Sequence, residues 1–241
     1  MFKGWGDGAP ASVTLAEAIH ASSNAPVNYF DLPADFPPNK HRYWDGGVTG
    51  CNNPILAAVT EALVLDKKPT EIAALSIGTG TVSLLWPEQG QTSPIYQPLI
   101  RRGLRKCKQL RTDILKLATS ILDDPPDIAT FLAHVMTGGG AGVIAPADSR
   151  IVRLSPLVSP INVSGEWQVP GGWSPEKFAY LADLDMDIVG QEPVETLTGY
   201  AQLWIDDKAP NQPIRRNGAT LDAELGFSLF SEAVAAWQAI R

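Results

Sequence analysis

Apolar residues recur at helical spacing along several stretches of the chain. In SVTLAEAIHASSNAP, Leu15, Ala18, Ile19 and Ala21 follow a candidate N-cap at Ser12 or Thr14, and Pro26 ends the run. That pattern predicts a helix of about three turns. NPILAAVTEALVL repeats it with Ile55, Ala58, Val59, Ala62 and Leu63, and Pro54 suits a first helical turn. Between the two, the proline-containing stretch 31–40 reads as a loop, and the aromatic pair Tyr43-Trp44 marks a strand near 41–45. EIAALSIGTGT is a short apolar run ending in glycines, the signature of a buried strand entering a tight loop. Strand, helix and strand in that order predict a parallel βαβ unit. A long helix is predicted over about 97–122, with Ile100, Leu104, Cys107, Leu110, Ile114, Leu117 and Ile121 on one face. Another covers 125–137, where Gly138-Gly139-Gly140 stops it. SRIVRLSP reads as a strand, and 174–187, 192–207 and 220–240 as helices separated by linkers such as QEP and APNQP.

Composition narrows the class without changing that picture. With 241 residues, 44% hydrophobic and 19% charged, the chain has the make-up of a globular protein with one large domain or two small ones, one being the default. A net charge of −7 argues against a nucleic-acid partner, whose binding would draw on a basic surface. Cys51 and Cys107 are too few for a disulfide framework or a cysteine zinc site, and His20, His41 and His134 lack ligand spacing. No metal or other cofactor is expected. No apolar run approaches the roughly 20 residues that span a bilayer, and MFKGWGDGAP lacks the apolar core of a secretory signal.

The stretch with the most chemistry is HRYWDGGVTGCNNP, residues 41–54, where one carboxylate, Asp45, stands between an aromatic pair and two glycines. Asp-Gly is a common turn dipeptide, so one reading of Asp45 is simply a turn residue at the end of a strand. Three stretches in order, AIHASSNAP, YWDGGVTGCNNP and ALSIGTGT, resemble the C-terminal part of the patatin-like phospholipase domain, the lipid acyl hydrolases of the patatin type. The likeness continues through IVRLSPL and FAYLADLDMD to about residue 207. It implies a three-layer α/β fold with a mainly parallel sheet and a helix-rich C-terminal half. Residues 1–207 would be the C-terminal part of that domain and 208–241 a C-terminal helical extension.

The resemblance also implies a serine–aspartate dyad acting on acyl lipid or phospholipid esters. In that family the serine of a Gly-x-Ser-x-Gly motif attacks, and the aspartate of Asp-Gly-Gly is the base. Asp45 matches the aspartate, and Gly46 and Gly47 complete its motif. Asn52 and Asn53 are candidates to support the turn or to position the carboxylate. An ester's tetrahedral intermediate needs an activated hydroxyl and donors for its oxyanion, which is what such a site would supply. The chain departs from the family in one respect: it contains no Gly-x-Ser-x-Gly. Ser174 follows Gly172 but precedes Glu176, and Ser228 follows Gly226 but precedes Phe230, so neither fits, and both lie after the aspartate. The N-terminal strands and the nucleophile elbow are therefore expected to be missing, and the chain to start inside the family domain. Alone it would be inactive. The alternative is a non-catalytic pseudoenzyme or interaction fragment that keeps the scaffold.

Two glycine-rich stretches have simpler explanations than catalysis. SIGTGT lacks both Gly-x-Gly-x-x-Gly and a Walker lysine, so a structural turn is the leading expectation over a phosphate loop. TGGGAG follows Asp45, the wrong side for an oxyanion loop, and reads as a helix stop. Ser22 and Ser23 are expected to end a helix. Arg101, Arg102, Arg105, Lys106, Lys108 and Arg111 form a basic run in an acidic chain. Its readings are a solvated helix face or a peripheral contact with anionic lipid headgroups. The expected location is the cytoplasm, with or without that membrane contact.

Overall fold

The computed structural model describes residues 14–26, 32–36, 42–84, 127–140, 149–184, 188–217 and 222–240. The predicted helix at 97–122, with its basic run, lies outside them, as do His41 and the first thirteen residues. The chain is mixed α/β and forms two compact units: Met1–Pro54 with Gln109–Pro126, and Ile55–Lys108 with Asp127–Arg241.

The first unit contains α1, Leu15–Ser22, and the strands β1, Ala34–Asp35, and β2, Arg42–Tyr43. Thr14 caps α1: its side chain accepts from the Glu17 N–H, and Glu17 reaches back to the Thr14 N–H at 2.7 Å. This reciprocal arrangement satisfies two backbone donors that the first turn leaves open. Ser23 ends the helix, its hydroxyl donating to the Ile19 carbonyl at 2.9 Å. The two strands pair antiparallel, Ala34 with Tyr43 and Asp35 with Arg42, so the stretch read as a loop contributes a strand. The ring of Phe36 stacks on Tyr43 at 5.9 Å and meets His20 edge-on at 6.0 Å. Of the α1 apolar positions, Ala21 is buried while Leu15 and Ile19 are exposed.

The second unit holds α2 (Ile55–Val64), β3 (Ala74–Ile77), β4 (Thr81–Val82), a helix α3 over 127–136, and β5 (Ile151–Leu154). After them come β6 (Leu157–Val158), β7 (Ile161–Val163), β8 (Glu166–Gln168), α4 (Pro175–Ala182) and α5 (Gln191–Ile205). The strands β9 (Arg215–Arg216) and β10 (Ala223–Leu225) and the helix α6 (Phe230–Ile240) complete it. β3 lies parallel to β5, Ala74 opposite Ile151 through Ile77 opposite Leu154, and β4 lies parallel to β6. The pairs β7–β8 and β9–β10 are antiparallel.

Three differences from the sequence reading follow. The expected mainly parallel sheet is replaced, among the described residues, by five two-stranded pairs, of which β3–β5 and β4–β6 are parallel. The parallel partner of β3 is β5, while β2, only two residues long, is paired to β1. The helix predicted over 220–240 begins at Phe230, because Ala223–Leu225 pairs as a strand and Gly226 then takes φ of +94°. A positive φ is incompatible with a continuing right-handed helix.

Three apolar clusters hold the second unit. Ile55, Val59 and Ile72 pack with Ala129, Ala133, Ile151, Ile214 and Leu225. Val158, Phe178, Leu181, Tyr200 and Ala209 form a second cluster, and Val152, Phe227 and Ala233 a third. Helical periodicity of the apolar residues in α2, α3, α4 and α6 is what lets each reach its cluster. Among the described residues no helix is long and apolar enough to cross a membrane.

Candidate functional site

Asp45 follows β2 and stands at the N-cap of a 3-10 turn, Gly46–Thr49. Its Oδ1 accepts the Gly47 N–H at 2.7 Å, and its own carbonyl accepts from the Val48 N–H at 3.2 Å. An aspartate does this well, because its short carboxylate reaches the backbone two residues on. The turn closes at Gly50, which takes φ of +78°, and the N–H of Cys51 donates to the Gly46 carbonyl at 2.8 Å. Asp45 is half-buried between exposed Trp44 and buried Gly47. Among the described residues its carboxylate forms no ion pair, and Oδ1 is the oxygen held by the turn. The motif thus orients one carboxylate oxygen through the Gly47 N–H.

Gly46 and Gly47 have different reasons for being there. A Cβ on Gly46 would meet that of Cys51 at 3.4 Å, an ordinary contact, so packing alone does not demand glycine. Gly47 is buried and its N–H is the donor to Asp45. Of the two asparagines, Asn52 is exposed and Asn53 is buried at 4%.

The residue that sequence reasoning missed is Asn24. It lies just beyond α1, is fully buried, and its backbone carbonyl accepts the Asp45 N–H at 3.1 Å. Its side-chain amide donates to the Leu32 carbonyl at 3.0 Å and to the Tyr43 carbonyl at 3.3 Å. The signal was an asparagine set directly after a helix-ending serine pair and before Ala-Pro, in a stretch already singled out for its resemblance.

The other candidates resolve into structural roles. In the SIGTG loop the Gly78 N–H donates to the Leu154 carbonyl at 2.8 Å and the Thr81 N–H to Pro156 at 3.1 Å. These two backbone donors are therefore committed within the fold and not open to a phosphate. At the end of α3, the N–H groups of Gly138 and Gly139 donate back to Val135 and His134, and Gly138 takes φ of +93°, a helix stop as expected. The Ser174 hydroxyl caps α4 by accepting from Lys177 at 3.3 Å.

A buried Ser149–His134 pair also has a defined chemistry. Ser149 Oγ donates to the Ile151 carbonyl at 2.9 Å and accepts from the Ile151 N–H, so its single proton is committed. His134 Nδ1 lies 3.0 Å from the same Oγ, within hydrogen-bond distance. Its Nε2 is buried with no hydrogen-bond partner among the described residues, and faces Gly139, where any Cβ would collide with the ring. Burial holds this imidazole below its ordinary 6.5, with the Gly140 backbone opposing. The sign follows: as pH falls below about 6.5 the unfolded chain takes up a proton that the folded chain refuses, so folding loses stability. The slope from one such group is at most about 1.4 kcal/mol per pH unit. In urea denaturation, His134→Gln is expected to lose less stability between pH 7 and pH 5 than the parent; equal losses would show that His134 is not held neutral.

Among the described residues no group of three or more His, Cys, Asp or Glu is placed to hold a metal ion. No family model, curated protein or solved structure matches the chain.

Proposed function

We propose that the chain carries the base-bearing portion of a lipid acyl hydrolase of the serine–aspartate type, with a patatin-like arrangement of its α/β elements. Asp45 is the general base in this reading, and the substrate is an acyl lipid or phospholipid ester. The observation that carries it is the placement of Asp45 after β2, one oxygen oriented by the Gly47 N–H and the carboxylate free of ion pairs among the described residues. A serine hydroxyl presented to the other oxygen would pass its proton there as it attacks the ester carbonyl. The basic run from Arg101 to Arg111 would rest on anionic headgroups at a cytoplasmic membrane face.

The second reading is a non-catalytic scaffold, favoured by the lack of Gly-x-Ser-x-Gly in the 241 residues and by the capping role that Asp45 fills without any reaction. One comparison separates the two. The product of the full reading frame that encodes these residues is assayed on a chromogenic fatty-acyl ester beside its Asp45→Asn variant. The hydrolase reading expects turnover in the parent and a fall of about 100-fold or more in the variant. Equal turnover removes Asp45 from the mechanism, and no turnover in either leaves the scaffold.

A further inference from the structure

We infer that Asn24 is the positioning residue for Asp45: it ties the end of α1 to the strand that presents the carboxylate and fixes the backbone from which that carboxylate projects. The inference rests on the reading of Asp45 as a catalytic base, and it adds the residue that holds it.

Three segments meet at this one side chain. Both amide protons of Asn24 point at main-chain carbonyls, Leu32 at 3.0 Å and Tyr43 at 3.3 Å. The reverse orientation would set the amide oxygen against two carbonyl oxygens, so the assignment of nitrogen and oxygen is settled by chemistry. The Asn24 carbonyl completes the set by accepting the Asp45 N–H at 3.1 Å. The Tyr43 carbonyl thus accepts from the Asn24 side chain, and the Asp45 N–H donates to the Asn24 main chain. Around Trp44 these two bonds fix both flanking peptides, so the strand cannot rotate to turn Asp45 away without breaking one of them.

Nothing else described in this unit does the same work. β1 and β2 contribute two residues each, too few for a self-supporting ladder. The Asp45 carboxylate is engaged with Gly47, which shapes the turn after it but not the strand before it. Asn24 supplies the link on the other side. Asn24 is itself fully buried, and its Oδ1 has no partner among the described residues. An asparagine kept there with an unmet acceptor implies that its two donors are what the position needs.

The test separates the clamp from the reaction. Site-resolved amide hydrogen exchange on the 241-residue chain, parent against Asn24→Ala, reads the clamp without any activity. The variant keeps the main-chain acceptor and loses both side-chain donors, and exchange at Asp45 and Gly47 is expected to rise at least tenfold. Tyr200→Phe, a variant of the other unit, is expected to leave both unchanged. In the full reading-frame product, Asn24→Ala is expected to lower kcat on the fatty-acyl ester about tenfold with KM within twofold. Unchanged exchange at Asp45 in a folded Asn24→Ala overturns the inference. Faster exchange with kcat unaltered overturns the positioning role. Faster exchange in a parent without turnover supports the clamp and overturns the hydrolase reading instead. Should the variant fail to fold, the parent alone decides: the Asn24 side-chain amide protons are expected to exchange at least tenfold more slowly than those of exposed Asn52, and equal rates overturn the inference.

Discussion

Asn211→Ala is expected to lower the unfolding free energy by about 3–4 kcal/mol, read as a shift of the urea midpoint without a change of slope. Asn211 is 1% exposed and satisfies five groups at once. Its Oδ1 accepts the Ser155 N–H at 3.0 Å and the Trp204 indole N–H at 3.2 Å. Its Nδ2 donates to the carbonyls of Arg153 at 3.0 Å, Phe227 at 2.9 Å and Gln212 at 3.3 Å. Alanine would strand the buried Ser155 N–H, at about 1–3 kcal/mol, take the acceptor from the part-buried Trp204 indole N–H, and leave carbonyls with one fewer partner. Main-chain bonds of the same segment would remain: Asn211 N–H to Ser228, and Gln212 N–H to Ser155, both 2.8 Å. Their survival is why the expected loss stops short of the sum of five bonds. A loss below about 1 kcal/mol would mean that water or rearranged side chains replace the asparagine.

Asn211 also shows where the sequence stops being legible. APNQP has the composition of a linker, and prolines beside a polar pair carry no apolar period, so the pattern reads it as a divider between helices. In the fold it is hydrogen-bonded to several segments, with Gln212 bonded to Asp127 and accepting from Thr81 at 2.9 Å. Several of its partners, Thr81, Asp127, Arg153 and Ser155, lie dozens of residues away, and no local periodicity reports a long-range polar contact. The same limit hid Asn24, whose role depends on Leu32 and Tyr43. Helices fared better because their signal is local. The N-cap candidate Thr14, the apolar spacing in α2, and the glycines after α3 are each contained within a few residues, and the elements formed where those signals stood. Pairing of strands was the least legible, since two-residue strands such as β2, β4 and β9 leave too short a run for alternation to appear. At the candidate site the turn chemistry of Asp45-Gly46-Gly47 was readable, because an Asx-type cap spans only two residues.

Phe178→Ala carries an expected loss of about 3–5 kcal/mol. Phe178 is the largest fully buried side chain among the described residues and lies on α4 where that helix meets α5 and β6. Its ring stands 6.2 Å from that of Tyr200, tilted by 57°, and Trp173 meets the opposite side of the cluster by contacting Tyr200 edge-on at 5.6 Å. Removing the ring deletes apolar area at about 25 cal/mol per Å² and leaves a cavity whose walls cannot close in. One wall is held by the Tyr200 hydroxyl, which donates to the Leu157 carbonyl at 2.7 Å and so keeps the aromatic ring in place. Burial pushes this phenol above its ordinary range, so the hydroxyl keeps the proton it donates. Relaxation of the cluster would need that bond to break, which puts the expected loss toward the upper end. The check is a pair of variants: Phe178→Leu refills most of the volume and is expected to recover more than half of the loss, measured by thermal and urea unfolding. A loss in Phe178→Ala no larger than that of Phe178→Leu would show that the site collapses freely and that the cluster around α4 and α5 is loosely packed.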